Sequence, residues 1–168
     1  MNLTEKKKHI ICLTPVYNDW DSFIVLTNNI KYEFRSKSTD YSFQIVAVDD
    51  GSTDSVEFTA LPDDVVIDVV ILKKNLGHQR AIAIGLQYIY SDKSDFNFVI
   101  VLDSDGEDRP QDILKLVSKC EEQSEKKIVF AQRKKRQEPI LFRIGYLIYK
   151  QFEYLFIKIG RASCRERV

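Results

Sequence analysis

Four carboxylates fall within six residues, at Asp103, Asp105, Glu107 and Asp108, directly after the apolar run FNFVIVL at 96–102. Carboxylates this close repel one another unless a cation sits among them, and hard oxygen donors at this density suit Mg²⁺ or Mn²⁺. The spacing predicts a metal site at this point of the chain. A calcium-binding EF-hand loop does not fit, because the sixth and twelfth positions counted from Asp103 are Asp108 and Leu114 where glycine and glutamate are needed. A phosphatase of the haloacid dehalogenase type fits poorly, since its Asp-x-Asp ends the first strand and is followed by Thr or Val where Glu107 stands here. The same residues would also suit a solvated acidic turn capping the next helix, with Pro110 near its first turn.

A site of this kind needs a rigid edge to stand on. The run at 96–102 has the length and β-branched content of a strand buried on both faces of a parallel sheet, whose carboxyl end is where open α/β folds bind ligands. Three other runs precede it: HIICLTP at 9–15, which Pro15 is expected to end, FQIVAV at 43–48, and VVIDVVIL at 65–72. The second runs into Asp49-Asp50-Gly51-Ser52-Thr53-Asp54, where Gly51 permits a tight turn and Ser52 or Thr53 can cap a short helix. KIVFA at 127–131 predicts a fifth strand, followed at once by the basic cluster at 132–136.

Helical stripes lie between these runs. Phe23, Leu26 or Thr27, Ile30 and Phe34 mark a helix over 20–34; Ile82, Ile84 or Gly85, Leu86 and Ile89 mark one over 81–90; Ile113, Leu114, Val117 and Cys120 mark one from 111 onward. Gly85 in mid-helix costs about 1 kcal/mol relative to alanine, which suggests close packing on the sheet. The alternation predicts an α/β fold, a three-layer α/β/α sandwich around a mostly parallel sheet. Residues 140–157 form an aromatic amphipathic stretch with Leu141, Ile144, Ile148, Phe152 and Leu155 on one stripe, suited to packing on protein or lying on a bilayer surface.

Totals narrow the function. With 168 residues the chain fits one domain, and its 25 basic and 25 acidic residues cancel, so no global field favours nucleic acid. A hydrophobic content of 44% argues against disorder. There is no signal peptide pattern and no run of about 18 apolar residues that would span a membrane. The three cysteines, Cys12, Cys120 and Cys164, are too few and scattered for a disulfide framework or zinc site, and Cys12 reads as inert core. Gly-x-Gly-x-x-Gly and Gly-Lys-Ser/Thr loops are both missing, which excludes the usual dinucleotide and P-loop sites. Residues 159–168, IGRASCRERV, resemble a translated sequencing adapter; the expectation is one incomplete catalytic domain over 1–158, an artefactual tail, and a natural chain that continues further.

Four motifs in order now carry a resemblance: TPVYND at 14–19, VDDGSTD at 48–54, NLGHQRAIAIGL at 75–86 and LDSDGEDRP at 102–110. Together they resemble the inverting family 2 glycosyltransferases of GT-A fold, over nearly everything from 9 to about 157, and most of all the branch typified by dolichol-phosphate mannose synthase and bacterial undecaprenyl-phosphate glucosyltransferases. The resemblance implies a Rossmann-like sheet, a nucleotide-diphosphate sugar donor, a polyprenyl-phosphate acceptor, Mg²⁺ or Mn²⁺, and a place at the cytoplasmic face of the membrane in cell-wall biogenesis. It implies that Pro15, Tyr17 and Asp19 line the nucleotide pocket, that Asp49 reaches the base or ribose, and that Asp50, Arg80 and Ser104 complete the donor-binding set. Asp103 and Asp105 would hold the metal, Glu107 would take the place of a glutamine in its shell, and Arg133 and Arg143 would bind the acceptor phosphate.

Two other functions compete with that expectation. One is a family 2 transferase acting on a saccharide hydroxyl, which would need a general base on a later segment. The other is a non-catalytic nucleotide-binding module. Donor base, sugar and oligomeric state are not written in the sequence.

Overall fold

A computed structural model describes residues 7–37, 40–54, 58–122 and 128–131. The chain divides into two compact units, Met1–Val129 and Phe130–Val168, and all described residues except 130 and 131 belong to the first. Four strands form one sheet: β1 (Lys8–Val16), β2 (Tyr41–Asp49), β3 (Ile67–Ile71) and β4 (Phe98–Val101). They pair in the order β3-β2-β1-β4, and every pairing is parallel.

Parallel strands need crossovers, and the side-chain alternation of the strands decides what the crossovers cover. Ile10, Cys12 and Val16 of β1 and Ile45 and Ala47 of β2 meet Phe23, Leu26, Ile30 and Phe34 of helix α1 (Trp20–Lys37) and Ile113 and Val117 of helix α3 (Ile113–Glu122). Ile11, Leu13, Val46 and Val48 face the other way, onto Ala81 and Ile89 of helix α2 (His78–Asp92). The result is the expected three-layer α/β/α sandwich. The order itself explains why the helices part. The chain moves from β1 outward to β2 and β3, then returns across the sheet to β4 on the far side of β1, and right-handed crossovers running in opposite directions place their helices on opposite faces.

Glycine and cysteine behave as expected inside this core. A Cβ on Gly85 would lie 2.4 Å from Leu13 Cδ1 and 2.8 Å from Val48 Cγ2, so the missing side chain lets α2 settle on the sheet. Cys12 is fully buried, and burial pushes its thiol up to about 12, leaving it without thiolate character at neutral pH.

Three expectations about strands are corrected. Pro15 does not end β1: the strand runs on to Val16, with Pro15 opposite Val48 and Val16 opposite Asp49. In a strand the N–H and C=O of one residue point the same way, and Leu13 O accepts from Leu102 on the β4 side while Val16 O accepts from Asp50 on the β2 side. Pro15 therefore presents its missing N–H toward β4, past Leu13↔Val101 where that ladder has finished, and no bond is lost.

The run at 96–102 is not a strand buried on both faces. Its strand is only Phe98–Val101, Ile100 alone is buried within it, and Val101 is 40% exposed. Among the described residues β4 pairs with β1 only, so one side of it carries no neighbour. Residues 128–131 carry no strand. An apolar run becomes a strand only where a ladder takes its backbone groups, and periodicity alone does not say whether one will. Residue 127, the basic cluster at 132–136 and the amphipathic stretch at 140–157 lie outside the described residues.

Candidate functional site

All four strands end at one edge, and the segments that follow them emerge side by side: 17–19 after β1, 50–54 after β2, 72–77 after β3 and 102–109 after β4. The chain reverses its direction across the sheet between β1 and β4. In open α/β folds the crevice at such a switch point, outside the carboxyl ends of the strands, is where ligands bind. The sheet thus gathers the three acidic or aromatic strand ends that the sequence separates by tens of residues.

The loops are stitched to one another by polar atoms. Asn18 adopts a left-handed conformation, φ 51°, which asparagine tolerates better than most residues. Its Oδ1 accepts from the Thr53 N–H at 2.8 Å, and its own N–H donates to Ser52 Oγ at 3.0 Å, tying the β1 loop to the β2 loop. Asp49 Oδ1 accepts from the Ser52 N–H at 2.8 Å. Ser52 and Thr53 thus hold the neighbouring loop; residues 55–57, where a helix capped by them would begin, lie outside the described residues.

The β2 loop is in turn locked to the segment after β3. Gly51 has φ 73°, and a Cβ there would lie 2.4 Å from the carbonyl carbon of Lys74, so only glycine allows the two backbones this approach. Asp50 is 3% exposed, and both its oxygens are engaged: Oδ1 accepts from the Leu76 N–H at 2.7 Å and Oδ2 from the Gly77 N–H at 2.9 Å. Gly77 is the residue before α2 and has no side chain to cap it; Asp50 instead holds the backbone that leads into the helix.

The acidic loop after β4 is organised by its own carboxylates. Asp108 Oδ2 accepts from the Asp103 N–H at 2.9 Å, and Asp105 Oδ1 accepts from the Glu107 N–H at 2.9 Å across the turn at Gly106, φ 78°. The 3₁₀ turn that follows, Pro110–Asp112, has Arg109 at its start and no side-chain cap, so these acids do not serve as a helix cap. Asp103 lies toward α2, with its Oδ1 3.4 Å from His78 Nε2. Asp105 lies toward α1, where it, Ser104 and Asp108 line an open groove of about 440 Å³ together with Asp21, Ser22 and Asn29.

That divergence bears on the metal. Among the described residues no group of three or more His, Cys, Asp and Glu side chains is drawn together at ligating distance, so Asp103, Asp105 and Glu107 do not form a closed cage. Mg²⁺ seldom uses one: it keeps waters and is held by one or two carboxylates plus substrate phosphates. One part-exposed and one exposed carboxylate on a loop at a switch point fit a cation that arrives with a phosphorylated ligand.

The remaining expected residues are placed as follows. Pro15 is buried in β1, Tyr17 is half-exposed at the rim, and Asp19 sits partly buried immediately before α1. Asp49 is buried at the end of β2. Arg80 is exposed on the first turn of α2, Ser104 is partly buried, and Glu107 is exposed. Arg133 and Arg143 lie outside the described residues. The sequence reading gave no role of their own to His78 and Asn18, and it counted Asp108 among the four acids without foreseeing that it holds the Asp103 N–H. Asn18 had a signal in its tolerance of positive φ next to a strand end, whereas nothing local in the sequence marked His78.

Along most of its length the chain is similar to known proteins. The profile of glycosyl transferase family 2 matches residues 11–164. The chain is 31% identical over 143 residues to an undecaprenyl-phosphate 4-deoxy-4-formamido-L-arabinose transferase of Proteus mirabilis, covering 82% of this chain and 41% of that protein. It is 32% identical over 148 residues to the protein of the same name from Yersinia pestis, covering 85% and 42%. It is 29% identical over 136 residues to the glycosyltransferase YkcC of Bacillus subtilis, covering 78% and 39%. The chain spans about 40% of the length of these relatives. Among solved structures it is similar to S. aureus TarS 1-349, with a TM-score of 0.47 and 21% identity over 68% of this chain and 32% of that one.

Proposed function

The chain belongs to glycosyl transferase family 2, and from that premise we propose that it serves the inverting transfer of a sugar from a nucleoside-diphosphate sugar to a polyprenyl phosphate at the cytoplasmic face of a membrane. The observation that carries this reading is the switch point between β1 and β4, which brings Tyr17 and Asp19 to the same sheet edge as Asp103 and Asp105. The names of its relatives, which specify undecaprenyl phosphate, supply the acceptor class. Among the described residues no helix is long and apolar enough to cross a membrane, so the lipid would be met at the surface or through chain beyond them.

Each residue has a part in this reading. Tyr17 at the rim offers an aromatic face to a base, Pro15 fixes the backbone beneath it, and Asp19 and buried Asp49 accept hydrogen bonds from base or ribose. Arg80 would touch the base or the diphosphate, and Ser104 would complete the donor-binding set. Asp103 and Asp105, with Glu107 beside them, would hold Mg²⁺ or Mn²⁺, which when bound stabilises the charge that develops on the departing diphosphate. Arg133 and Arg143 would hold the acceptor phosphate. A phosphate is already anionic at pH 7, so it needs positioning in line with the anomeric carbon and no general base. Asp50 enters as a structural clamp, since both its oxygens are already bonded to backbone.

Calorimetric titration with UDP and GDP, with and without Mn²⁺, tests the reading. Binding that requires Mn²⁺ and disappears in Asp103→Ala and Asp105→Ala supports it and identifies the base. No binding of either nucleotide to chain with an intact helical and strand circular-dichroism signal overturns it. Transfer of labelled sugar to undecaprenyl phosphate by active protein, against a saccharide acceptor in parallel, then decides the acceptor.

A further inference from the structure

Among the described residues β3 pairs with β2 only, so one side of it carries no strand partner. Val66 O accepts from the Ile45 N–H, and the Leu72 N–H donates to Asp49 O. The even-numbered residues of this stretch therefore address β2, and the N–H and C=O groups of Ile67, Val69 and Ile71 point to the open side. Such an edge is a template for pairing with another chain. Val66 and Ile71 are 61% and 66% exposed beside it. Charge is divided along the chain at this point: Asp63 and Asp64 precede the strand, Lys73 and Lys74 follow it, and all four are exposed.

We propose that the open edge of β3 is a docking surface for a second copy of this chain, paired antiparallel about a twofold axis at Val69. In that register Val69 lies opposite Val69 of the second copy and Ile67 lies opposite its Ile71. Every outward N–H and C=O of the strand then finds a partner, about six bonds in all. Opposed residues share a face of the sheet, so Ile67 of one copy covers the exposed Ile71 of the other. The acids before one strand come beside the lysines after the other, and this happens at both ends of the pair. Parallel pairing would set acid on acid and lysine on lysine. Asp64 is already drawn to Lys31 and Arg35 of α1, so Asp63, which has no such partner among the described residues, is the acid left for the second copy. The edge of β4 does not offer the same fit: Asp95 precedes it and Asp103 and Asp105 follow it, so an antiparallel copy there would bring acid to acid. An edge of five residues is expected to bury less than the ~1,200–2,000 Å² of a stable interface, so the pair is weak and forms by mass action. The proposal does not rest on the nucleotide-sugar reading and stands or falls apart from it.

Sedimentation velocity of the full chain over about a hundredfold range of concentration reads the pairing, with folding followed by circular dichroism. The native sequence is expected to shift from monomer to dimer as concentration rises, and added salt to lower the dimer fraction by screening the charges at the two ends. Val69→Pro removes an N–H that points to the open side, so it leaves the β2 ladder intact and is expected to weaken the dimer by at least about tenfold. Lys73→Glu and Asp63→Lys are each expected to weaken it roughly 3- to 10-fold, since each acts at both ends of the pair. Combined in one chain, the two reversals are expected to restore most of the affinity, because opposite charges then meet again. Monomer at every concentration overturns the proposal. So does a dimer that folded Val69→Pro leaves unchanged, since the contact would then lie elsewhere. Single reversals without effect, or losses that the double reversal does not recover, overturn the antiparallel register. If Val69→Pro unfolds, the charge variants, which change only exposed side chains, still decide the outcome.

Discussion

Gly51 lies so close to Lys74 that a Cβ would stand 2.4 Å from the Lys74 carbonyl carbon and 2.8 Å from its Cα. These are backbone atoms of the segment that leads into α2, and they cannot swing aside as a side-chain tip can. The loop after β2 and the loop after β3 are therefore a single built edge.

Gly51→Ala adds both a left-handed strain of about 1–2 kcal/mol and a backbone clash, so a loss of about 3 kcal/mol or more is expected. Gly106 has a similar φ of 78° but nothing within 4 Å of the Cβ position. Gly106→Ala is therefore expected to cost only about 1–2 kcal/mol. Urea unfolding of the two variants measures the difference, and equal losses would mean that the loops are not in contact in solution.

At Gly85 the obstacle is different, because the atoms in the way are the Leu13 and Val48 methyls. Both side chains are fully buried and have little space to yield. Overpacking of about 1–3 kcal/mol exceeds the gain of about 1 kcal/mol in helix propensity, so Gly85→Ala is expected to be destabilising by about 1 kcal/mol and Gly85→Val by clearly more. A stabilised Gly85→Ala variant would show that α2 sits farther from the sheet.

Asn18 combines a left-handed φ with bonds to Ser52 and Thr53. Asn18→Gly relieves the backbone but removes the side-chain bond to the Thr53 N–H, while Asn18→Ala loses both, and losses of about 1 and about 2 kcal/mol respectively are expected. Because Tyr17 and Asp19 flank it, Asn18→Ala is also expected to weaken UDP or GDP binding more than it lowers the unfolding midpoint, as paired calorimetry and urea titration would show.

Tyr41 supplies a pH dependence. Burial first, and then the hydrogen bond its hydroxyl donates to Glu121 at 3.1 Å, raise its phenol above the ordinary value of 10.0. The folded-state pKa is thus higher than the unfolded one, so this contribution is full below about pH 10 and is lost as pH rises through the folded value. Stability measured from pH 9 upward should fall more steeply in the native sequence than in Tyr41→Phe. Parallel curves would mean that the Tyr41 to Glu121 contact does not persist.

Cys12 offers a direct probe of the core. With its thiol at about 12 and fully buried, it should stay unlabelled by iodoacetamide at pH 8 and react only when the chain unfolds. Mass spectrometry of the Cys12 peptide reads this, and rapid native labelling would contradict the packing of β1.

Much of the architecture was legible from local pattern. The apolar runs at 9–15, 43–48 and 65–72 became β1, β2 and β3 because each is long, β-branched and bounded by turn residues, and the stripe from Phe23 to Phe34 became the buried face of α1. Boundaries were less legible. Pro15 stayed within β1 because the direction of its missing N–H depends on where a different strand ends, and 128–131 formed no strand because a ladder partner is a property of the fold.

The candidate site divides along the same line. The sequence by itself determined which chemistry is possible: carboxylates at 49, 50, 103, 105, 107 and 108, an aromatic at 17, and glycines at 51, 77 and 106 where the backbone must turn. Only the tertiary structure decided how those groups are used. Of the neighbours Asp49 and Asp50, it bonded both oxygens of Asp50 to the backbone leading into α2, and it brought His78 to within 3.4 Å of Asp103 across 25 positions of chain. Residue type fixes what an atom can donate or accept, which is local. Which donor it meets depends on the strand order β3-β2-β1-β4, which arises from burying two faces of one sheet at once.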